Sequence, residues 1–208
     1  MAALRISSVA FLNARPLVRG FGLAPDPDRY LLSECTPSVC AERLAAGSTD
    51  VALIPSVEYQ RIPGLRVLPG MAIASRRRAR SVLLISRVAA PEIRRVALDT
   101  SSRTSAALAR IWLDRRTRAR VDYIQAAPSF PAMLEGADAA LLIGDAALRA
   151  DIWDFRIYDL AAEWFEMTGL PFVFAFWAVR PGARLPEGIR PFLASRNLGL
   201  ESVSATAR

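Results

Sequence analysis

Residues 36–55 read TPSVCAERLAAGSTDVALIP, and this stretch decides the fold. Thr36 is a candidate N-cap, Pro37 suits the first helical position and Gly47 is a natural stop, so the spacing predicts a helix over 38–46. The apolar run DVALI (50–54), ended by Pro55, predicts a buried strand. Upstream, LRISSV (4–9) and residues 29–35 predict two more strands, and FLNARPL (11–17) turns into a helix at Pro16. Residues 1–60 therefore read β-α-β-α-β, the pattern of a parallel sheet.

Downstream, the pattern predicts strands over 66–75, 80–86, 94–98, 121–124, 139–143 and 171–179. Ala107, Leu108, Ile111 and Trp112 recur at helical spacing and predict a helix over 103–115. Gly144-Asp145 starts a short helix. Beyond residue 181, Pro181, Pro186 and Pro191 leave room for at most one short helix, and the end ESVSATAR (201–208) reads as frayed. Two βαβ-rich blocks joined by extended segments predict an α/β chain of two lobes. Residues 1–75 with 180–208 make one lobe and 82–172 the other. Hinge strands at 74–82 and 173–180 link them, with a ligand cleft between the lobes.

The composition removes much chemistry. The 208 residues include no His, and every one of the 27 basic residues is Arg. Ser-His-Asp triads, Schiff-base lysines, Walker lysines and HExxH zinc sites are excluded. Any general base is a carboxylate, a Tyr, a Cys or the substrate itself. Cys35 and Cys40 are too few for a zinc site of the usual kind, so no metal and no cofactor is called for. They read as two reduced thiols on neighbouring elements, a disulfide being the alternative. No apolar run reaches membrane-spanning length, and Met1 to Pro16 lacks the regions of a signal peptide, so the expectation is a cytoplasmic protein with no membrane partner. The net charge of +7 comes from scattered Arg without interleaved aromatics, which argues against nucleic acid. The dense cluster Arg76, Arg77, Arg78 and Arg80 reads as a solvated turn or an anion-steering patch.

Several polar groups fall where a ligand is expected. Asp99 to Ser105 links a strand to a helix, and the amides and hydroxyls of Ser101, Ser102, Arg103 and Thr104 suit a carboxylate or phosphate. Plain capping by Ser101 or Ser102 is the alternative. Thr36-Pro37-Ser38 repeats the arrangement, with Ser38 as the ligand contact and capping again the alternative. Asn13 and Arg15 follow the first strand, and Asn13 also reads as a turn residue. Ser56 and Gly144, each just after a buried strand, complete the candidate substrate-binding set.

FLNARPL (11–17), PSVCAERLAAGSTDVALIPSVEY (37–59), RSVLLIS (80–86), VALDTSSRTSAALARIWL (96–113), ALLIGDAAL (140–148) and DLAAEWFEMTGLPFVFAFWA (159–178), in this order, resemble the chorismate dehydratase family of the futalosine route to menaquinone. The resemblance spans about residues 4–180. It implies a periplasmic-binding-protein type II fold and the conversion of chorismate to 3-[(1-carboxyvinyl)oxy]benzoate by loss of water. The sister enzyme, dihydroxynaphthoate synthase, shares the fold but depends on a His, which this chain lacks. By resemblance, Asn13 and Ser81 match the family's active centre. A substrate carboxylate is one acceptor for the proton, and Asp145 is the protein carboxylate best placed as the alternative. Asp145 also reads as an N-cap after Gly144. The implied partner is a small molecule, chorismate or a similar dicarboxylate. A non-catalytic cytoplasmic binding protein for a small carboxylate is the alternative. Two departures stand out. Family members continue into further C-terminal helices, so an uncovered first-lobe face is expected, with a homodimer through it or a tendency to aggregate as the consequence. The family's turn before Arg80 is Gly-Pro-like, whereas this chain has Arg76-Arg77-Arg78-Ala79.

Overall fold

The computed structural model describes residues 3–23 and 26–202; from Val203 on, the tail read as frayed lies outside them. In chain order the strands are β1 Leu4–Val9, β2 Tyr30–Cys35, β3 Val51–Pro55, β4 Arg66–Ser75, β5 Val82–Ser86, β6 Arg95–Asp99, β7 Asp122–Ala126, β8 Ala139–Ile143, β9 Arg156–Asp159 and β10 Phe172–Val179. The helices are α1 Arg15–Val18, α2 Pro37–Ala45, α3 Thr104–Asp114, α4 Gly144–Arg149, α5 Leu160–Thr168 and α6 Arg190–Glu201. The chain divides into two compact units. Unit 1 runs up to Ile73 and resumes at Ala175; unit 2 is Ala74–Phe174. Among the described residues no helix is long and apolar enough to cross a membrane.

Unit 1 is built on a sheet of order β2-β1-β3-β10-β4. β1 runs parallel to β2 and β3, with Ile6 beside Val51. β3 is buried along its whole length, as a strand covered on both faces should be. β10 returns antiparallel to it, from Ala175 opposite Pro55 to Val179 opposite Val51. Asp50 locks this arrangement. Its carboxylate accepts from the Arg5 amide at 3.1 Å, from the Arg5 guanidinium at 2.8 and 3.1 Å, and from the Arg180 guanidinium at 2.7 and 3.1 Å. The Asp50 carbonyl also accepts from the Arg180 amide at 3.1 Å.

α2 turns Cys40, Ala41 and Leu44 into the core. Thr36 holds the N-cap position with extended backbone, but its side chain caps nothing. Thr36 thus stands where the N-cap was expected, while its hydroxyl pairs with that of Ser38 at 3.2 Å instead of with a helix amide.

The C-terminal expectation needs correcting too. α6 spans 12 residues, because Pro191 sits in its first turn, where a missing N–H costs nothing, and opens the helix. Its buried Phe192 packs on Phe21 and Trp177, with ring centroids 5.1 and 5.4 Å away. α6 crosses the α1 segment at small residues. Ser195 donates to the Leu17 carbonyl at 2.9 Å and accepts from the Gly20 amide at 3.0 Å. Gly199 lies so close to Pro16 that any side chain there would run into the Pro16 carbonyl.

Unit 2 is a second five-stranded sheet, of order β7-β6-β8-β5-β9. β6 is parallel to β7 and β8, while β5 lies antiparallel between β8 and β9. β5 and β8 are wholly buried. α3 and α5 are fastened by Glu163, whose Oε2 accepts from the Trp112 indole at 2.7 Å and the Arg116 guanidinium at 3.0 Å. The strand expected through 74–82 is interrupted: β4 ends at Ser75 and β5 begins at Val82. Arg80 between them has φ of 59°, which no strand residue adopts. The sequence reading assigned no element to 158–170, where the structure has the end of β9 and all of α5.

Two predictions follow from this packing. Hydrogen bonding from Arg5, reinforced by Arg180, holds the Asp50 carboxyl down at about 2. Its folded value lies below the ordinary one of about 3.9, so its stabilisation is complete above pH ~4 and is lost as pH falls through about 2. Allowing for solvent screening at the partly exposed guanidinium groups, Asp50→Asn should cost roughly 1–2 kcal/mol at neutral pH. That cost should shrink towards zero as denaturant unfolding is repeated down to pH ~2. Gly199→Ala should cost about 1–3 kcal/mol in the same assay, because its methyl meets backbone.

Candidate functional site

In unit 2 the strand directions gather the candidate residues at one end of the sheet. β6 and β8 are parallel, with Leu98 beside Leu141, so both present their carboxyl ends there. β5 runs the other way, with Val82 opposite Ile143, so it begins at that end. Ser81, the 99–105 loop and Gly144-Asp145 are thereby brought together. The Gly144 amide donates to the Ser81 carbonyl at 2.8 Å. Gly144 has φ of 57°, a conformation open to glycine at little cost, and this turns β8 into α4. The half-buried Ser81 hydroxyl donates to the Ala79 carbonyl at 3.3 Å. Asp145 lies inside the first turn of α4 and faces Arg149 at 3.9 Å, so it is not the cap; Ile143 holds that position.

The 99–105 loop is organised by Asp99, which is 1% exposed. Its Oδ1 accepts from the Ser101 amide at 2.8 Å and the Ser101 hydroxyl at 2.6 Å. Its carbonyl accepts from the Ser102 amide at 3.1 Å, and the Thr100 amide donates to Ala126 at 3.2 Å. Neither Ser101 nor Ser102 caps α3; Arg103 takes the cap position through its backbone. The Ser102 amide is spent inside the loop, so the expected anion donors shift along the chain. Among the described residues the Ser105 and Ala106 amides, in the first turn of α3, have no acceptor. Thr104 beside them is buried.

In unit 1 the parallel strands β1, β2 and β3 likewise end together, and the turns holding Asn13, Arg15, Ser38 and Ser56 follow those ends. The Ala10 amide donates to the Cys35 carbonyl at 3.2 Å, tying the first turn to the second. Asn13 sits in a single 3-10 turn, Leu12–Ala14, and is exposed, with no partner for its amide among the described residues. Arg15 is exposed, with no ion pair among the described residues. Ser56 opens the turn Ser56–Gln60, whose Glu58 is buried against Arg61 at 2.9 Å. Cys35 and Cys40 are free thiols with their sulfurs 3.1 Å apart, and burial pushes the Cys40 thiol above its ordinary range.

One residue that sequence reasoning passed over belongs to the unit 2 group. Asp159 caps α5 and also binds the turn before Ser81. Its helix was legible, as an Asp ahead of LAAEWF with a glycine behind it. The contact with residues 79–80 left no local signal.

A family model described as menaquinone biosynthesis matches residues 4–208. A chorismate dehydratase of Thermus thermophilus is 32% identical over 169 residues, covering 73% of this chain and 62% of the relative. A chorismate dehydratase of Campylobacter jejuni is 29% identical over 190 residues, covering 88% and 71%. The chain thus spans less than two thirds of the length of the Thermus relative. Protein AF1704 of Archaeoglobus fulgidus has a similar structure, with a TM-score of 0.81 at 15% identity, covering 98% of this chain and 79% of that one. A periplasmic substrate-binding protein of an ABC transporter from Coxiella burnetii aligns with a TM-score of 0.57 at 12% identity, covering 98% and 96%. The fold is therefore the α/β fold of type II periplasmic binding proteins.

Ser101→Ala should leave the buried Asp99 carboxylate short of one charge-assisted hydrogen bond. It should lower stability by about 1–3 kcal/mol in denaturant unfolding, whereas removing an exposed surface hydroxyl should have no such effect.

Proposed function

The chain belongs to the menaquinone-biosynthesis family, and on that premise we propose that it is a chorismate dehydratase, a carbon-oxygen lyase working in the cytoplasm on free chorismate. Both curated relatives above carry that name. The observation that carries the reading is the meeting of Ser81, Gly144-Asp145 and the α3 amino end at one edge of a sheet, in a chain with no His and no Lys.

The chemistry suits such a chain. Chorismate is a cyclohexadiene with two carboxylates. Loss of the C3 proton and the C4 hydroxyl as water makes the ring aromatic, giving 3-[(1-carboxyvinyl)oxy]benzoate. Aromatisation supplies the driving force, so the protein's work is positioning and charge placement. One carboxylate is assigned to the α3 amino end, with Ser101, Ser102, Arg103 and Thr104 shaping the loop. On unit 1, Arg15, Ser38 and Ser56 are assigned to substrate binding. The Asn13 amide donates to the departing C4 oxygen, and the Ser81 hydroxyl orients the ring. The C3 proton goes to a carboxylate, that of Asp145 or of the substrate.

Incubation with chorismate should therefore yield an aromatic product, followed by its ultraviolet absorbance. Asn13→Ala should cut turnover about 10²-fold, as loss of one preorganised donor does elsewhere. It should leave the unfolding midpoint unchanged, since the side chain contacts nothing that holds the core. Tight binding of chorismate without turnover in the unmodified protein would replace this reading with that of a binding protein.

A further inference from the structure

We propose that Asp159 is the positioning residue for Ser81, acting on it through the turn at Ala79-Arg80. The proposal rests on the dehydratase reading, in which Ser81 orients the substrate.

The turn is held against its own preference. Arg80 has a left-handed backbone, φ 59°, which is disfavoured for any residue with a Cβ. Such a conformation persists where the surroundings over-determine it. Here the surroundings are Asp159. The pairing of Leu83 with Asp159 brings the end of β9 alongside the start of β5. The two carboxylate oxygens then divide the work. Oδ2 faces the turn, accepting from the Arg80 amide at 2.8 Å and the Ala79 amide at 3.0 Å. Oδ1 faces the helix, accepting from the Ala161 and Ala162 amides at 3.1 and 3.2 Å, with a further contact to the Ala79 amide at 3.2 Å. A second grip comes from the same helix, where the Arg77 guanidinium lies 4.9 Å above the Phe165 ring.

Ser81 inherits this geometry through its hydroxyl, while its carbonyl is tied separately to the turn after β8. Its hydroxyl donates to the carbonyl of Ala79, the residue whose amide Asp159 holds. Its carbonyl accepts from Gly144. The turn Arg76-Arg77-Arg78-Ala79 contains neither glycine nor proline, and a carboxylate supplies the constraint that such turn residues would otherwise give.

A plain helix cap would need only Oδ1, and the division of labour allows the two roles to be separated. In Asp159→Asn the side-chain oxygen still caps α5, because Asn and Asp cap equally well, but an NH2 group then confronts the two turn amides. Asp159→Ser also caps, and its hydroxyl is too short to reach the turn. With chorismate as substrate, both variants should keep KM within about threefold while kcat falls by roughly 10 to 10²-fold, the cost of a small misplacement of a reacting group. Adding Arg80→Gly to Asp159→Asn should recover several-fold of that loss, since glycine adopts the left-handed turn unaided. In a Ser81→Ala background, Asp159→Asn should cost nothing further, because the two changes act on one element. Full activity in Ser81→Ala alone would sink the assigned active centre and this proposal with it. If Ser81→Ala is impaired but both Asp159 variants keep kcat, or if Asp159→Asn costs as much without Ser81 as with it, Asp159 is only a cap and the proposal alone is overturned.

Discussion

The Asp50 carboxylate holds unit 1 together across the longest gap in its sequence. It joins Arg5 at the start of β1 to Arg180 at the end of β10, two residues separated in the chain by the whole of unit 2. Without that return, β3 would be an edge strand, and its wholly buried VALIP run would lose the cover that β10 provides. Two guanidinium groups share one carboxylate, so the excess charge stays at the surface while the acceptor is largely buried. The turns at the far ends of β1, β2 and β3 then follow from a sheet whose register is fixed.

Unit 2 solves a different problem with the same material. Two parallel strands end where one antiparallel strand begins, so a strand start, a glycine turn and a helix amino end share one edge. Groups that carry no titratable proton near neutral pH do the polar work there: backbone amides, a serine hydroxyl and a glycine N–H. In a chain without His or Lys, fixed dipoles of this kind stand beside the Arg side chains as means of stabilising developing charge, and a rigid loop makes them effective. Asp99 serves that rigidity from inside, spending Ser101 and Ser102 on the loop itself. The amides left without an acceptor among the described residues are those of the α3 first turn.

Much of this was legible in the residues. The helix between Pro37 and Gly47, the buried VALI and ALLI strands, and the glycine after β8 all carried local signals strong enough to place them. α6 was underestimated because prolines were counted as breakers, whereas Pro191 stands in the first turn, where proline is welcome. Thr36 stands at the expected N-cap position, but none of Thr36, Ser101, Ser102 and Asp145 makes a side-chain cap, and the reason is shared. Each side chain, or its amide, is committed elsewhere: Thr36 to Ser38, Ser101 and Ser102 to Asp99, and Asp145 to Arg149. Helix position can be read from a polar residue at a boundary, but its hydrogen-bond partner cannot. The turn at 76–80 was legible from its arginines, but its hold by Asp159, a residue distant in sequence, was not. For the candidate site, its residues were nameable from pattern and resemblance, while their grouping on unit 2 required the strand directions.

The proposed reaction converts chorismate into an aromatic ether. Proton NMR of chorismate incubated with the protein tests it most directly. The account predicts that the cyclohexadiene signals disappear and those of a meta-substituted benzoate appear, with the enolpyruvyl protons retained. An unchanged chorismate spectrum would contradict it, and so would a hydroxybenzoate accompanied by free pyruvate.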